Sequence, residues 1–476
     1  MSASTDKPPS LYAAQEPIFP RRVSGFYRNL KWGLMAFTLG IYYLTPWIRW
    51  DRGPNLPDQA VLVDLAGRRF FFFWIEIWPQ EFYFVAGLLI MAGLGLFLFT
   101  SALGRVWCGY ACPQTVWTDL FTTVERWIEG DRNARVRLYK AKWDFRKWRL
   151  RLSKWTIWLL ISVATGGAWV FYFFDAQILI HHLFVGTAHP AAYITIAILT
   201  FTTFLFGGFA REQICIYMCP WPRSQAAMMD EDTITIGYRH WRGEPRGRHR
   251  KSADADKLGD CIDCMACVNV CPMGIDIRDG QQLGCITCAL CIDACDSMMA
   301  KIGKPRGLID YLALTDAEDE AAGKTPQPIW KHVIRLRTVI YTVLWAAVGI
   351  ALVVALFMRA DVELDVSPVR NPVYVTLSDG SIRNTFDIRI RNKLGEARDF
   401  RITALSDENL KLSLQGTDST SVTVPADATG DFRVYVTAPR DSEAARAGLT
   451  PLHFWVEDEA SGDKAHQNSV FNGKGQ

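Results

Sequence analysis

An α-helical integral membrane protein with an inserted cysteine-rich α+β module and a C-terminal all-β sandwich is the fold class this 476-residue sequence predicts. Three observations carry it. Five apolar segments are each long enough for a bilayer core, which needs about 20 residues of helix. Two blocks of four cysteines repeat with identical spacing. From about Asp361 the hydrophobic pattern switches to period two.

The five segments are Trp32–Ile48, Phe82–Leu103, Thr156–Phe174, Ala191–Phe209 and Thr338–Met358. Buried helices of a large soluble protein are the alternative. Half of the residues are hydrophobic and the segments are flanked by Trp and Arg, so membrane spans are the better reading. The first segment begins thirty residues in and ends in Thr45-Pro46-Trp47 without a small-residue cleavage site, so it is expected to be a retained span.

Basic residues set the expected orientation. The tail at 1–31 carries Lys7, Arg21, Arg22, Arg28 and Lys31, and the loop at 104–155 carries twelve Lys and Arg, among them Arg132, Arg135, Arg137, Lys140 and Lys142. The loop from Asp175 to Pro190 has none, and the next loop is basic again, with Arg246, Arg248, Arg250 and Lys251. Arg52, Arg68 and Arg69 weaken the contrast slightly. The alternation predicts an N-inside topology: four spans over 32–209, a cytoplasmic segment over 210–337, a fifth span over 338–358 and an exported domain over 361–476, which in a bacterial inner membrane would be periplasmic. All twelve cysteines then fall on the cytoplasmic, reducing side.

The cysteine blocks bring the chemistry. Cys261, Cys264, Cys267 and Cys271 follow C-x2-C-x2-C-x3-C, with Pro272 next, and Cys285, Cys288, Cys291 and Cys295 repeat the gaps. This is the ligand run of a bacterial 2[4Fe–4S] ferredoxin, in which the fourth thiolate of each block crosses to the other cluster. The expected sets are Cys261, Cys264, Cys267 and Cys295 on one [4Fe–4S] centre, and Cys271, Cys285, Cys288 and Cys291 on the other, in a ferredoxin-like domain around 252–305. Paired zinc sites also use C-x2-C, but four close cysteines repeated once favour clusters and electron transfer.

The remaining cysteines form a second repeat. Cys108 and Cys112 follow the second span and Cys215 and Cys219 the fourth, each pair as C-x3-C-P. A duplicated helical hairpin would bring both pairs to the cytoplasmic membrane face. Three readings stay open: four thiolates on a metal or a further cluster, a dithiol–disulfide couple, or small buried side chains. Soft ligands would favour Cu(I), and Met218, Met228 and Met229 lie nearby. His181, His182 and His189 in an outer loop are expected to be solvated or interfacial rather than ligands.

Three further segments have expected roles. The aromatic run Phe70–Trp78 is too short to span and is expected to be interfacial or re-entrant. The cationic, Trp-rich stretch from Arg132 to Trp155 suits an anionic membrane surface better than nucleic acid. Asp316–Pro328 reads as an acidic linker. Beyond it, Phe386/Ile388/Ile390, Leu410/Leu412/Leu414, Val422/Val424, Phe432/Val434/Val436 and Leu452/Phe454/Val456 alternate with polar residues, with turns at Ser378–Gly380 and Leu394-Gly395. About seven strands in an Ig-like sandwich are expected.

Long motifs resemble the CcoG proteins, also called FixG or RdxA, accessory factors for cbb3-type cytochrome c oxidase. The resemblance runs through Tyr12–Arg22, Trp50–Val61, Glu76–Glu81 and Arg105–Leu120, the cysteine blocks and the C-terminal sandwich. It implies two [4Fe–4S] clusters and a role in oxidase assembly by reduction of Cu(II) to Cu(I). The implied partners are oxidase subunits or copper-delivery proteins and an electron donor it does not identify. Asp296 after Cys295 departs from the proline common in ferredoxins. The span layout and C-x3-C-P pairs are also similar to NapH-type quinol dehydrogenases, which implies as alternatives a conduit to or from the quinone pool, or a non-enzymatic assembly scaffold.

Overall fold

The computed structural model describes residues 17–53, 56–247, 258–359, 362–394, 396–406, 410–416, 419–426 and 428–475. Lys7, Arg248, Arg250, Lys251, Asp361, Gly395, the Tyr12–Glu16 part of the first family motif and the start of the 252–305 module therefore lie outside the described residues. The chain divides into two compact units, residues 1–48 with 59–352, and residues 49–58 with 353–476.

The first unit opens with α1 (Phe26–Leu44), followed by a three-stranded antiparallel meander of β1 (Val61–Asp64), β2 (Arg69–Phe72) and β3 (Ile75–Ile77). The aromatic run therefore folds as a hairpin. Phe72 pairs with Ile75 across a two-residue turn at Phe73-Trp74, where Phe73 has φ 53°. Alternation buries Phe71 and exposes Phe72.

Helices α2 (Tyr83–Leu103), α3 (Val106–Tyr110), α4 (Pro113–Glu129), α5 (Arg132–Lys140), α6 (Phe145–Val170), α7 (Ala176–Val185) and α8 (Pro190–Leu205) follow. Gly104, at φ 60°, ends α2 in a conformation that favours glycine, and Pro113 opens α4 where its missing N–H costs nothing. Helix α8 runs on to Met218 through two π-helical turns, Phe206–Ala210 and Ile214–Met218, around a single α-turn at Arg211–Gln213.

Among the described residues, three helices are long and apolar enough to cross a membrane: Tyr83–Leu103, Pro190–Met218 and Leu336–Phe357. They coincide with the second, fourth and fifth expected segments. The first and third also lie in helices, but α1 carries Arg28 and Lys31, and α6 opens with a cationic stretch from Arg146 to Lys154. Neither is apolar over a full bilayer thickness, so composition and length alone support three spans where five were expected.

The cysteine-rich module is closed by two antiparallel strands, β4 (Thr235–Tyr238) and β5 (Ile309–Leu312), in register Thr235 to Leu312 and Tyr238 to Ile309. Between them lie the helices Ala266–Val270 and Leu290–Lys301, so the folded module is wider than 252–305. The segment read as a linker is structured instead. Leu314–Ala321 is a helix, and buried Asp316 accepts from the Gln327 N–H and pairs with His332 Nε2 at 2.9 Å.

The second unit is a two-sheet sandwich. One sheet runs β10 (Lys411–Leu414), β12 (Ala428–Ala438), β8 (Ile382–Asn392), β6 (Val362–Pro368), with β7 (Val375–Thr376) also on β8. The other runs β11 (Ser421–Val424), β9 (Arg398–Leu405), β13 (Leu449–Asp458), β14 (Lys464–Asn472). Among the described residues nine strands stand where about seven were expected. Phe386, Ile388, Ile390, Val434 and Val436 face Phe400, Ile402, Phe454 and Val456 in one core, where Phe386 and Phe454 meet edge to face at 4.9 Å.

Candidate cluster and thiol sites

The two cysteine blocks share an unusual backbone. Asp263 and Met265 in the first, and Thr287 and Ala289 in the second, all have φ between 53° and 59°. These are the residues two and four places after the first cysteine of each block. A non-glycine residue held left-handed costs about 1–2 kcal/mol, so four at matching positions point to a surface wrapped around something. In each block the second of them precedes a helix that carries the third cysteine, Ala266–Val270 for Cys267 and Leu290–Lys301 for Cys291.

The fold brings the eight thiols together in two groups. Cys295 lies within electrostatic reach of Cys267, Cys264 and Cys261, and Cys291 within reach of Cys288, Cys285 and Cys271 most strongly, with Cys267 of the first group after them. Cys261, Cys267 and Cys295 pack in one apolar cluster with Ile277, Ile292 and Met299. Cys288 belongs to a neighbouring cluster, against which Cys271 and Cys291 also pack. Burial pushes the thiols up, Cys271 and Cys295 to about 12 and Cys267 and Cys285 to about 11. Buried thiols like these stay protonated unless a positive centre takes their place beside the sulfur. Coordinated iron supplies that charge and deprotonates them outright. Two groups of four such donors on matched loops fit two [4Fe–4S] clusters.

The second thiol set abuts the first. Cys215 lies within electrostatic reach of Cys112, Cys108 and Cys219, so the π-turn after α8 and the α2–α3–α4 hairpin bring the two C-x3-C pairs into one neighbourhood, although among the described residues no three such side chains stand close enough to hold one metal ion. Cys108 and Cys215 pack against the apolar cluster that contains Cys288. The Tyr110 hydroxyl donates to the Cys288 carbonyl at 3.2 Å, and the Cys108 thiol donates to Gln225 Oε1 at 3.1 Å. Burial pushes the Cys108 thiol up, with the Arg105 guanidinium opposing it.

The methionines and histidines singled out in the sequence do other things. Met218 is largely exposed, and Met229 lies beside Gly104. His182 Nδ1 bonds the Thr187 hydroxyl at 2.7 Å, and His189 Nδ1 caps α8 by accepting from the Ala191 N–H.

Sequence reasoning passed over three carboxylates on α4. Asp119 pairs with Arg28 at 2.9 Å; Glu125 with Arg135, Lys154 and Arg211 at 2.9–3.0 Å; and Glu129 with Lys154 at 2.9 Å and Arg151 at 3.3 Å. Burial would raise the Glu125 carboxyl, but Arg211, Lys154 and Arg135 overcome it and hold it at about 2. Five of the cations counted for topology, Arg28, Lys31, Arg135, Arg151 and Lys154, are thus ion-paired inside the fold. The i, i+4 spacing of Glu125 and Glu129 within a basic loop was the available signal.

Comparison with known proteins agrees. A 4Fe-4S dicluster domain family matches residues 210–313, a 4Fe-4S binding domain family matches 84–133, and the IG-like fold at the C-terminus of FixG matches 352–474. Protein RdxB of Cereibacter sphaeroides is 68% identical over 476 residues, 100% of both chains. Protein RdxA of the same organism is 62% identical over 97% of this chain and 98% of its own. Nitrogen fixation protein FixG of Rhizobium meliloti is 50% identical over 97% of this chain and 94% of its own. With relatives this similar over their full lengths, the chain belongs to the CcoG/FixG/Rdx family, a membrane iron–sulfur redox protein with two [4Fe–4S] clusters.

Proposed function

We propose that this protein is a cupric reductase of the membrane, delivering single electrons from its two clusters to Cu(II) at the Cys108, Cys112, Cys215 and Cys219 thiols for assembly of a cbb3-type cytochrome c oxidase. The observation that carries the reading is that Cys108 and Cys215, one thiol from each C-x3-C pair, pack against the apolar cluster that contains Cys288. Cys261, Cys264, Cys267 and Cys295 would hold one cluster, and Cys271, Cys285, Cys288 and Cys291 the other, each supplying one-electron reducing equivalents when bound. Four soft donors bind Cu(I) better than Cu(II), so the same thiols favour the reduced product. Gln225 orients Cys108, and Arg105 beside it favours the thiolate that copper needs. The balance is one electron per copper ion, Cu(II) to Cu(I), with the metal as substrate.

In this reading the cluster module faces the cytoplasm of a bacterial inner membrane, the sandwich lies in the periplasm, and α1 and α6 add two charged-ended spans. The partners are oxidase subunits or copper-delivery proteins. The test is anaerobic purification, followed by Cu(II) addition and trapping of Cu(I) with bathocuproine. Cys215→Ser should keep both cluster EPR signals and lose most of the Cu(I) yield. A full yield from that variant would remove the thiols from the reaction.

A further inference from the structure

One cavity beside the thiols has no role in copper reduction. It encloses about 560 Å³ between the start of α6 and the π-turn after α8, within the size range of organic ligand sites. Trp155, Trp158 and Phe209 form its aromatic wall, Phe209 lying 6.3 Å from the Trp155 ring and edge-on to Trp158 at 6.0 Å.

The backbone here is built for approach. Gly208 passes so near Trp158 that a Cβ would lie 2.9 Å from its ring. Arg211 is held at φ 31°, a strained conformation for any side chain. Two π-turns in one helix flank it, a distortion common at functional sites.

The polar groups of the wall decide what fits. Lys154 and Arg211 are taken by Glu125, Arg151 by Glu129, and Lys147 donates to the Tyr139 and Ala141 carbonyls. A phosphate would have to compete with those carboxylates. Glu212 is different. It is 6% exposed, has no cation within ion-pair distance among the described residues, and accepts only a long 3.4 Å bond from Gln213. It sits in the last two turns of the candidate span Pro190–Met218. An ionisable group at such a place that, unlike its neighbour Arg211, is not ion-paired is a functional-site candidate.

Glu212 also lines a second cavity, of about 40 Å³. That chamber includes Gln114, Thr118, Asp119 and Cys215, and is large and polar enough for two or three waters.

We propose that the larger cavity binds a hydroquinone from the bilayer as the electron donor, its ring against Trp155 and Phe209 and a hydroxyl donating to Glu212. A neutral aromatic ring with two hydroxyls suits a wall whose cations are occupied and whose free group is an acceptor. On oxidation both O–H bonds break and the ring becomes the quinone. Two electrons leave it, and the two [4Fe–4S] clusters that the eight cysteines would hold would accept one each. One proton passes to Glu212 and on to the small chamber, the other to water at the cavity mouth. The assignment rests on the cluster reading and is independent of copper.

The test uses full-length protein in nanodiscs. Binding of 2-heptyl-4-hydroxyquinoline N-oxide, a redox-inert quinol mimic, is followed by quenching of the probe's own fluorescence. In stopped flow, a naphthoquinol and separately dithionite are used to bleach the cluster absorbance. The wild type should bind the probe and be bleached by naphthoquinol. Glu212→Gln should bind about tenfold or more weakly and bleach more slowly with naphthoquinol, since an amide oxygen is a weaker acceptor than a carboxyl oxygen and takes up no proton, while dithionite bleaching is unchanged. Trp155→Ala, on the opposite wall, should also weaken the probe.

Three results would overturn the assignment: no probe binding by cluster-loaded wild type, both variants binding as wild type does, or displacement of the probe by short-chain phosphatidylglycerol with equal potency in Glu212→Gln. Absence of bleaching even by dithionite would instead strike the cluster reading beneath it.

Discussion

Gly109 lies against the backbone of Cys288 so closely that a Cβ on it would sit 3.0 Å from the Cys288 Cα and 2.5 Å from the Ile286 carbonyl oxygen. This contact ties the first C-x3-C pair to the second cysteine block. Neither partner can retreat easily, because Ile286 and Cys288 are both buried in the cluster that Cys108 packs against. Gly109→Ala should therefore act on the joint between thiols and cluster. Overpacking of this kind costs about 1–3 kcal/mol. The expected readout is a changed EPR signal from one cluster only, with Cu(I) yield reduced at least severalfold. Two unaltered signals and full yield would show that the joint is not on the electron route.

Cys291 and Cys295 stand one helical turn apart on Leu290–Lys301, yet the thiols that act on them most strongly belong to different groups. Cys291→Ser and Cys295→Ser should each lower the iron and sulfide content by about half, since each damages a different cubane. Their residual EPR spectra should be complementary, summing to that of the wild type. Identical residual spectra would mean that both cysteines serve the same cluster.

Glu125 gives a pH-dependent prediction. Its carboxyl is held at about 2 in the folded protein, below its ordinary value of 4.5. A depressed carboxyl stabilises the fold above its unfolded pKa, and that contribution is lost as pH falls from about 4.5 toward 2. Glu125→Gln leaves Arg135, Lys154 and Arg211 buried around a neutral group, at a cost on the order of 3–5 kcal/mol. The variant should unfold at a lower temperature at pH 7, and its melting temperature should vary less between pH 5 and pH 3 than that of the wild type. Parallel curves would place the titrating group elsewhere.

The cysteine chemistry was legible because thiol spacing is a local property. C-x2-C-x2-C-x3-C encodes loop geometry directly, as the matched left-handed residues of the two blocks reflect. The sandwich was legible for the same reason, since period-two alternation at Phe386, Ile388 and Ile390 is read residue by residue. What escaped depends on contacts between distant segments. The Arg28–Asp119 pair joins residues 91 apart in sequence, and a tally of basic residues treats such an arginine as solvated. The π-turns around Arg211 follow from the fit of Gly207 and Gly208 against Phe121 and Trp158, and an apolar stretch says nothing of that. Asp316 looked like linker because its partner His332 comes sixteen residues later, beyond the run of acidic residues.

The sandwich supplies the last prediction, because its core is closed on itself. Phe386 is fully buried and stacks edge to face on Phe454, at the centre of a cluster drawn from both sheets. Phe386→Ala removes most of a ring from a packed core, a change that costs about 3–5 kcal/mol. The loss should appear as an earlier melting transition of the β-domain, followed by near-ultraviolet circular dichroism, with the cluster absorbance unaffected at that temperature. The cluster ligands all lie in the other compact unit, and none of the sandwich core contains cysteine. If the sandwich serves only to dock assembly partners, Phe386→Ala near its melting point should leave Cu(I) yield of the purified protein intact while lowering oxidase maturation in cells. Loss of Cu(I) yield at the same temperature would instead make the sandwich part of the reductase.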